Sequence, residues 1–254
     1  MMTKNMKNKP NIYFCGDVHG KFDHIINLCK EEPPVAIILL GDIQAQRPLH
    51  QELANLNQRT QIWWIHGNHD TDSQKEHDHL FGSELAHRNL HGRVVDICGV
   101  RVAGLGGVFR GQIWRPPEPA NYASEQAFVQ ANGLASNWRG GLPLKHGSSI
   151  FPSQVEALSL LRADILVSHE GPSMHRFGFA AIDELARSMQ VQKLFHGHQH
   201  EDIHYPKASK PTVATLAEAS TWQAFGVGLR GVMDLDGKVL VPGRNDQHYR
   251  DDLL

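Results

Sequence analysis

The feature that most constrains the fold is a pattern that recurs in the first 70 residues. An apolar, β-prone segment stops at or near glycine, and acid, amide or imidazole side chains follow. The pattern reads Gly-Asp-Val-His after Cys15, Gly-Asp after Leu40 and His-Gly-Asn-His-Asp after Ile65. Such apolar runs are typical of buried strands in a covered parallel sheet. Because ligands bind beyond the carboxyl ends of parallel strands, these polar side chains are expected to meet at one sheet edge.

The same pattern returns in the second half of the chain. A strand predicted at residues 164–167 leads to Ser168-His169, and another at 191–195 leads to the segment His196-Gly-His-Gln-His200. Segments with helical spacing of apolar residues separate the strands, which predicts an α/β domain. Further short strands are predicted at 203–205, 212–216 and 226–234, where they would complete a second sheet.

Composition narrows the class of protein. The 254 residues include 25 basic and 27 acidic side chains, so no general basic field indicates a nucleic-acid binder. The 17 histidines are unusually many, and imidazole is the commonest transition-metal ligand. The three cysteines lack the paired spacing of a disulfide framework or a thiolate zinc site.

The chain reads as one domain over residues 11–244, with a flexible polar tail at 1–10 and another at 245–254. Residues 104–150 are rich in glycine and proline and predict a long rim or flap over the site. The alternative for this segment is a surface loop anchored in the core by its aromatic residues. No stretch is apolar enough for a signal peptide or a membrane span, so a cytoplasmic location and no membrane partner are expected.

The polar residues after the strands form a candidate metal-binding set. Its members are Asp17, His19, Asp42, Asn68, His69, His169, His198 and His200. Carboxylates and imidazoles without thiolates suit manganese, iron or zinc, whereas an all-oxygen set would indicate calcium or magnesium. The two oxygens of the Asp42 carboxylate can bridge two such ions.

These blocks, in this order, resemble the calcineurin-like metallophosphoesterase superfamily. The resemblance rests on Gly16-Asp-Val-His19, Gly41-Asp42, Gly67-Asn-His-Asp70, Ser168-His169 and Gly197-His-Gln-His200. It implies a four-layer α/β/β/α sandwich of two mixed β-sheets flanked by helices. It also implies two divalent metal ions, with manganese favoured and iron or zinc as alternatives.

The resemblance also implies individual roles. The first metal would be held by Asp17, His19, Asp42 and His200, and the second by Asp42, Asn68, His169 and His198. His69 would act as the general acid or phosphate-contacting imidazole, with the Asp70 carboxylate orienting it. Apart from the resemblance, the chemistry of the guanidinium group predicts that Arg110, which follows a glycine-rich turn, clamps a substrate phosphate, and the alternative is a solvated arginine on the loop.

The expected reaction is hydrolysis of a phosphomonoester or phosphodiester by a metal-bridging hydroxide. The substrate type stays open, and a protein phosphatase, a nucleic-acid phosphodiesterase or a non-catalytic metal-binding scaffold are the alternatives. Residues 41–47, 66–69 and 102–109 are similar to segments of RNA lariat-debranching enzymes. Those enzymes commonly carry cysteine where this chain has Asp17, and the chain lacks an obvious basic tract for RNA.

Overall fold

A computed structural model describes residues 10–56, 59–133, 138–205 and 222–244. In these ranges the α-helices are α1 (Asp23–Glu31), α2 (Leu49–Glu52), α3 (Gln74–Phe81), α4 (Glu125–Asn132), α5 (Pro152–Ser159) and α6 (Ala180–Ser188). The strands are β1 (Ile12–Cys15), β2 (Ala36–Leu40), β3 (Gln61–Ile65), β4 (Arg93–Ile97), β5 (Val100–Leu105), β6 (Ile165–Ser168), β7 (Lys193–His196), β8 (Ile203–His204), β9 (Gln223–Gly226), β10 (Val232–Asp234) and β11 (Val239–Val241). Short 3₁₀ helices cover His69–Thr71, Ala86–Arg88 and Leu144–Ser148.

The strands form two mixed sheets. The first has the order β11-β10-β1-β2-β3, with β1, β2 and β3 parallel and β10 and β11 added antiparallel. The second has the order β4-β5-β6-β7-β9-β8, with a parallel centre and antiparallel strands β4 and β8 at its edges. The carboxyl ends of the parallel strands carry the polar blocks identified in the sequence.

Side chains of β1 show how the layers are built. Ile12 and Phe14 belong to the core between the two sheets, whereas Tyr13 and Cys15 belong to the core beneath the helices of the first sheet. This division follows from strand geometry, in which successive side chains point to opposite faces. The strand therefore needs apolar residues at every position, as the sequence has.

Three phenylalanines join the sheets at the centre of the molecule. The Phe14 and Phe195 rings are stacked with centroids 3.7 Å apart, and the Phe195 and Phe225 rings are stacked at 4.7 Å. All three side chains are fully buried. Phe14 comes from the first sheet and the other two from the second, so the stack fixes how the two sheets lie against each other.

Helices cover the outer face of each sheet. In α1, Ile25 and Cys29 are buried at the i, i+4 spacing of one helical face. In α6, Ile182, Leu185 and Ala186 are buried in the same way against the second sheet. The chain is thus a helix–sheet–sheet–helix sandwich, and the predicted fold class is confirmed.

The second sheet differs from the prediction at its end. The predicted strand at 226–234 is two strands, because β9 ends at Gly226 and the chain then crosses to the first sheet, where β10 pairs with β1. The crossing is held by the Gly16 N–H, which donates to the Gly231 carbonyl at 3.0 Å. The predicted strand at 212–216 lies outside the described residues.

In the described parts of the segment 104–150, residues 104–133 and 138–150, there is more regular structure than the glycine and proline content predicts. The segment carries α4, whose first turn is capped by the Ser124 hydroxyl accepting from the Ala127 N–H, and the 3₁₀ helix Leu144–Ser148. No helix among the described residues is long and apolar enough to cross a membrane.

We expect Phe195→Ala to destabilise the protein by about 3–5 kcal/mol, because it removes the central ring of the stack and leaves a cavity between the sheets. Urea unfolding followed by circular dichroism measures the free energy of unfolding. Leu161→Ala is the control: this side chain is 41% exposed, and its loss should change stability by less than about 0.5 kcal/mol. Equal effects of the two substitutions would contradict a central role for the stack.

Candidate metal centre

The predicted ligands come from both sheets and converge at the seam between them. Asp17 and His19 follow β1, Asp42 follows β2 and Asn68 follows β3 of the first sheet. The second sheet supplies His169 after β6, and His198 and His200 after β7. Five separate chain segments therefore contribute to one site.

The donor atoms form two groups that share one carboxylate. The atoms of the first group all lie within 4.8 Å of one another and belong to Asp17, His19, Asp42 and His200. The second group meets the same limit and consists of Asp42, His169 and His198. Asn68 joins the second group through its amide oxygen, which lies 3.2 Å from His169 Nε2.

His169 is oriented by the backbone of the opposite sheet. Its Nδ1–H donates to the Leu40 carbonyl at 2.8 Å. This bond leaves Nε2 as the available donor atom, 3.4 Å from Asp42 Oδ2. A backbone carbonyl that holds one ring nitrogen is a common way to orient a metal-binding histidine.

A second imidazole is oriented by a residue that the sequence analysis missed. His19 Nδ1 lies 2.6 Å from Gln44 Oε1, and with Nδ1 donating, His19 Nε2 faces His200 Nε2 at 3.5 Å. Gln44 follows Asp42 by two residues, and its own Nε2–H donates to Glu76 at 3.0 Å. The position of Gln44 close to the Gly-Asp block was the only sign in the sequence that this residue contacts a candidate ligand.

The backbone at the site is unusual. Five of the candidate ligands have left-handed φ angles, and these are Asp17 (29°), His19 (40°), Asp42 (45°), His198 (67°) and His200 (57°). Only a few per cent of non-glycine residues adopt such angles, and those that do are concentrated at functional sites. The strain is independent support for a functional role of this region.

Two glycines allow the loops to pack this closely. A Cβ atom at Gly67 would lie 2.2 Å from Asp42 Oδ1, and one at Gly41 would lie 2.3 Å from His169 Nδ1. Gly41 also has a φ of +101°. Any larger residue at either position would displace a candidate ligand, which explains why glycine precedes the polar residues.

The electrostatics of the site are those of buried charges close together. Burial raises the pKa of Asp17 to about 8, with Asp42 adding to the increase and His169 opposing it. Burial lowers the pKa of His169, but the Asp42 and Asp17 carboxylates outweigh it and raise the pKa to about 10. Paired with His169, Asp42 has a pKa well below its usual value despite its burial.

The donor set fits divalent metal ions. Asp17 and Asp42 are fully or almost fully buried, and a carboxylate in such a place is costly unless a cation lies beside it. A divalent ion among these oxygen and imidazole donors would remove the penalty that raises the pKa of Asp17. Donors of these types, without thiolates, suit first-row transition metals.

The carboxylate next to the His69 ring differs from the prediction. His69 Nδ1 lies 2.6 Å from Asp72 Oδ2, whereas the two Asp70 oxygens accept the backbone N–H groups of Gln44 and Gly67, each at 2.8 Å. The segment His69–Thr71 is a 3₁₀ helix, in which residues three apart lie on the same side. Asp72, rather than Asp70, is therefore the carboxylate that contacts the His69 ring, and Asp70 joins the loops that follow β2 and β3.

A cavity of about 390 Å³ opens beside the second donor group and is lined by Asn68 and His198. Three cationic side chains also line it, Arg110, Arg115 and Lys145. The Arg110 Nη1–H donates to the Ser148 carbonyl at 2.9 Å, which holds the guanidinium in the wall. Burial lowers the pKa of Arg110, and the carboxylates of Asp72, Asp42 and Glu170 oppose this effect.

Glu170 is a second residue that the sequence analysis missed. Its side chain is buried in the wall of the same cavity, where Oε1 accepts the Phe109 N–H at 2.9 Å and Oε2 lies 4.0 Å from His198 Nε2. Burial raises its pKa to about 7. The Glu170 carboxylate thus connects a candidate ligand to the segment 104–150. Its position directly after His169 was the only sign in the sequence that Glu170 belongs to the site.

The fold and this arrangement of donors define a class of protein. A family model described as calcineurin-like phosphoesterase matches residues 10–202. The match covers most of the chain, so the protein belongs to the calcineurin-like phosphoesterase family. It is therefore a phosphoesterase by family, and the family implies divalent metal ions.

Individual proteins are also similar to this chain. An uncharacterized protein of Haemophilus influenzae is 44% identical over 236 residues, which cover 93% of this chain and 99% of the relative. One solved structure aligns with a TM-score of 0.55 at 12% identity over 92% of this chain and 99% of its own, which shows a shared fold. A novel phosphatase of Mycoplasma pneumoniae aligns with a TM-score of 0.43 at 12% identity, covering 88% of this chain and 73% of that one.

We predict that Asp42→Asn lowers the content of both metal ions, because the carboxylate shared by the two donor groups loses its charge. The measurement is metal analysis by mass spectrometry after loading with manganese and dialysis. Asp96→Asn, on the exposed surface of β4, is the matched control and should keep the wild-type content. Two retained ions in Asp42→Asn at wild-type affinity would contradict the shared position of Asp42.

Proposed function

We propose that the protein is a dinuclear metal-dependent phosphoesterase that hydrolyses a phosphomonoester or phosphodiester, with manganese as its favoured metal. The observation that carries the proposal is the pair of donor groups that share Asp42 and lie beside a cavity with three cationic side chains. The first group has the four residues that the family resemblance implies for one metal, and the second has three of the four implied for the other, with the Asn68 amide oxygen 3.2 Å from His169.

Two bound divalent ions would lower the pKa of a shared water and withdraw charge from the phosphoryl oxygens. The protein's own contribution begins with the positions in which it holds the ligand side chains. Asp17 and Asp42 lie at the bottom of the site, and the His198 N–H donates to both Asp17 oxygens at 3.0 Å. The ligands are thus held before the substrate arrives, which avoids reorganisation during the reaction.

His69 is the proposed general acid. Its backbone N–H donates to Asp42 Oδ1 at 2.9 Å, which ties its position to the shared carboxylate. Its side chain is 23% exposed, and its ring centroid lies 5.7 Å from that of His19, so the ring is accessible at the edge of the donor groups. In this proposal the Asp72 carboxylate at Nδ1 stabilises the protonated ring, and Nε2 is the nitrogen that would give its proton to the leaving oxygen.

Cationic side chains are the proposed phosphate contacts. Arg110, Arg115 and Lys145 line the same cavity as Asn68 and His198, so a phosphoryl group there would be within a field of three positive charges. Arg110 uses Nη1 to bind the Ser148 backbone, and its other guanidinium nitrogens remain to face an anion. This arrangement favours the clamp over the solvated-loop alternative for Arg110.

The decisive experiment is a phosphoester panel on metal-stripped protein reloaded separately with manganese, iron, zinc or magnesium. The panel includes p-nitrophenyl phosphate and bis-p-nitrophenyl phosphate, whose relative rates separate monoesterase from diesterase preference. We expect hydrolysis that requires metal and is highest with manganese. A protein that binds two ions yet hydrolyses no member of the panel would be a metal-binding scaffold, and the proposed function would be wrong.

We predict that His69→Ala retains both metals and lowers kcat by roughly 10²–10⁴-fold on substrates with poor leaving groups. The loss should be smaller with p-nitrophenolate, which leaves without protonation. Steady-state kinetics on phenyl and p-nitrophenyl esters, with metal analysis of the same samples, measures both effects. An equal loss on the two esters would remove the general-acid role.

We predict different outcomes for the two neighbouring acids. Asp72→Asn should lower kcat by roughly 10–100-fold with normal metal content, because the His69 ring loses the carboxylate that orients it. Asp70→Asn should lower metal content and thermal stability, because its oxygens hold the loops after β2 and β3. If Asp70→Asn alone lowered kcat with metals and stability intact, Asp70 rather than Asp72 would support His69.

A further inference from the structure

A second cavity, of about 520 Å³, lies next to the one beside the candidate metal centre. Three side chains line both cavities, Arg115, Phe177 and Phe179, so these residues form a common wall. The second cavity extends from this wall to Trp114, Pro116 and Arg176. Each volume lies in the range of roughly 300–1,000 Å³ typical of small-molecule sites.

The common wall is built by Arg115 and by the loop at residues 171–179, and backbone hydrogen bonds fix this loop. The Phe179 N–H donates to the Gly171 carbonyl at 3.0 Å, and the Gly178 N–H donates to the His175 carbonyl at 2.9 Å. A Cβ at Gly178 would lie 1.8 Å from the Pro172 carbonyl oxygen, so the loop needs glycine there. The Phe179 ring packs on Phe109 with centroids 4.7 Å apart.

Phe177 has an exposure that packing does not explain. It is 40% exposed, more than any other phenylalanine, tyrosine or tryptophan among the described residues. The Arg176 guanidinium carbon lies 4.6 Å from the centroid of its ring. The Arg115 guanidinium carbon lies 5.8 Å from the centroid of the Phe179 ring. Aromatic rings paired with guanidinium planes are good stacking surfaces for a flat π-system.

The charges of the second cavity also restrict its occupant. Arg115 and Arg176 are its cationic residues and Glu184 is its acidic one, while aromatic and proline side chains supply most of the remaining wall. Arg176 is 3.9 Å from Glu201. An occupant with a flat, apolar ring and a nearby anionic group would complement this surface. A phosphoester held at the metal centre would have its anionic phosphoryl group in the first cavity, next to the common wall.

We propose that the Phe177 wall is the leaving-group subsite, and that the substrate is a phosphoester whose leaving group carries a planar aromatic ring, as a nucleotide does. This inference rests on the phosphoesterase function proposed above. The phosphoryl group lies at the donor groups and Arg110, and the leaving group crosses the common wall so that its ring stacks on Phe177. A small aliphatic phosphoester would leave this surface empty.

The test uses adenosine 5′-monophosphate and ribose 5-phosphate, which share the same ester bond and differ in that the second has a hydroxyl group in place of the planar base. Binding of each is measured by calorimetry to full-length, manganese-loaded protein in the His69→Ala background, where turnover is suppressed. We expect the nucleotide to bind roughly tenfold more tightly, as stacking of one base on an aromatic side chain provides.

Substitutions at Phe177 separate stacking from simple apolar contact. Phe177→Leu should bring the ratio of the two dissociation constants close to one, and Phe177→Trp should keep the preference. The matched control is Leu161→Ala, which has almost the same exposure at 41%, lines neither cavity, and should leave the ratio unchanged. Circular dichroism and metal content confirm that each variant is folded and loaded.

The outcomes distinguish this inference from the proposed function. If the protein hydrolyses members of the phosphoester panel but binds both ligands equally or binds neither, the proposed function stands and the proposed subsite is wrong. A preference that survives in Phe177→Leu also overturns it. If the protein hydrolyses no member of the panel but prefers the nucleotide, and Phe177→Leu removes that preference, the proposed subsite stands and the proposed function is wrong.

Discussion

The site depends on one hydrogen bond across the seam of the sandwich, from His169 Nδ1–H to the carbonyl of Leu40. It joins the end of β6 in one sheet to the end of β2 in the other, beside the shared carboxylate of Asp42. The bond forms only when the two sheets are correctly aligned, and the buried stack of Phe14 and Phe195 sets that alignment. Core packing and ligand geometry are therefore parts of the same constraint.

Much of the fold follows from local sequence. Fully apolar runs such as β2 predict central strands, and glycine followed by polar residues predicts where each strand ends and which side chains reach the sheet edge. The path after Gly226 was not predictable, because a short apolar segment can pair with either sheet, and its pairing with β1 depends on residues far away in the sequence. The identity of the family came from the order of the polar blocks rather than from any single one.

The environment of the site was harder to predict than its ligands. Asp72 contacts His69 because a single 3₁₀ turn places residues three apart together, and the motif alone favours the adjacent Asp70. The segment 104–150 supplies Arg110, Arg115 and Lys145 to the cavity, yet its irregular sequence has no period from which their direction follows. Its role as a rim or flap stays a prediction, and α4 within it gives it more regular structure than expected.

The left-handed backbone at five candidate ligands limits which amino acids can occupy these positions. Aspartate and histidine, together with asparagine, are the non-glycine residues that adopt this conformation most readily, whereas β-branched residues strongly resist it. A residue at these positions must satisfy both a donor requirement and a torsional requirement. Replacement of a ligand by another metal-binding residue with a poorer fit to this backbone would cost loop stability even if its donor atom suited the ion. An engineered change of metal would therefore have to redesign the loops together with the ligands.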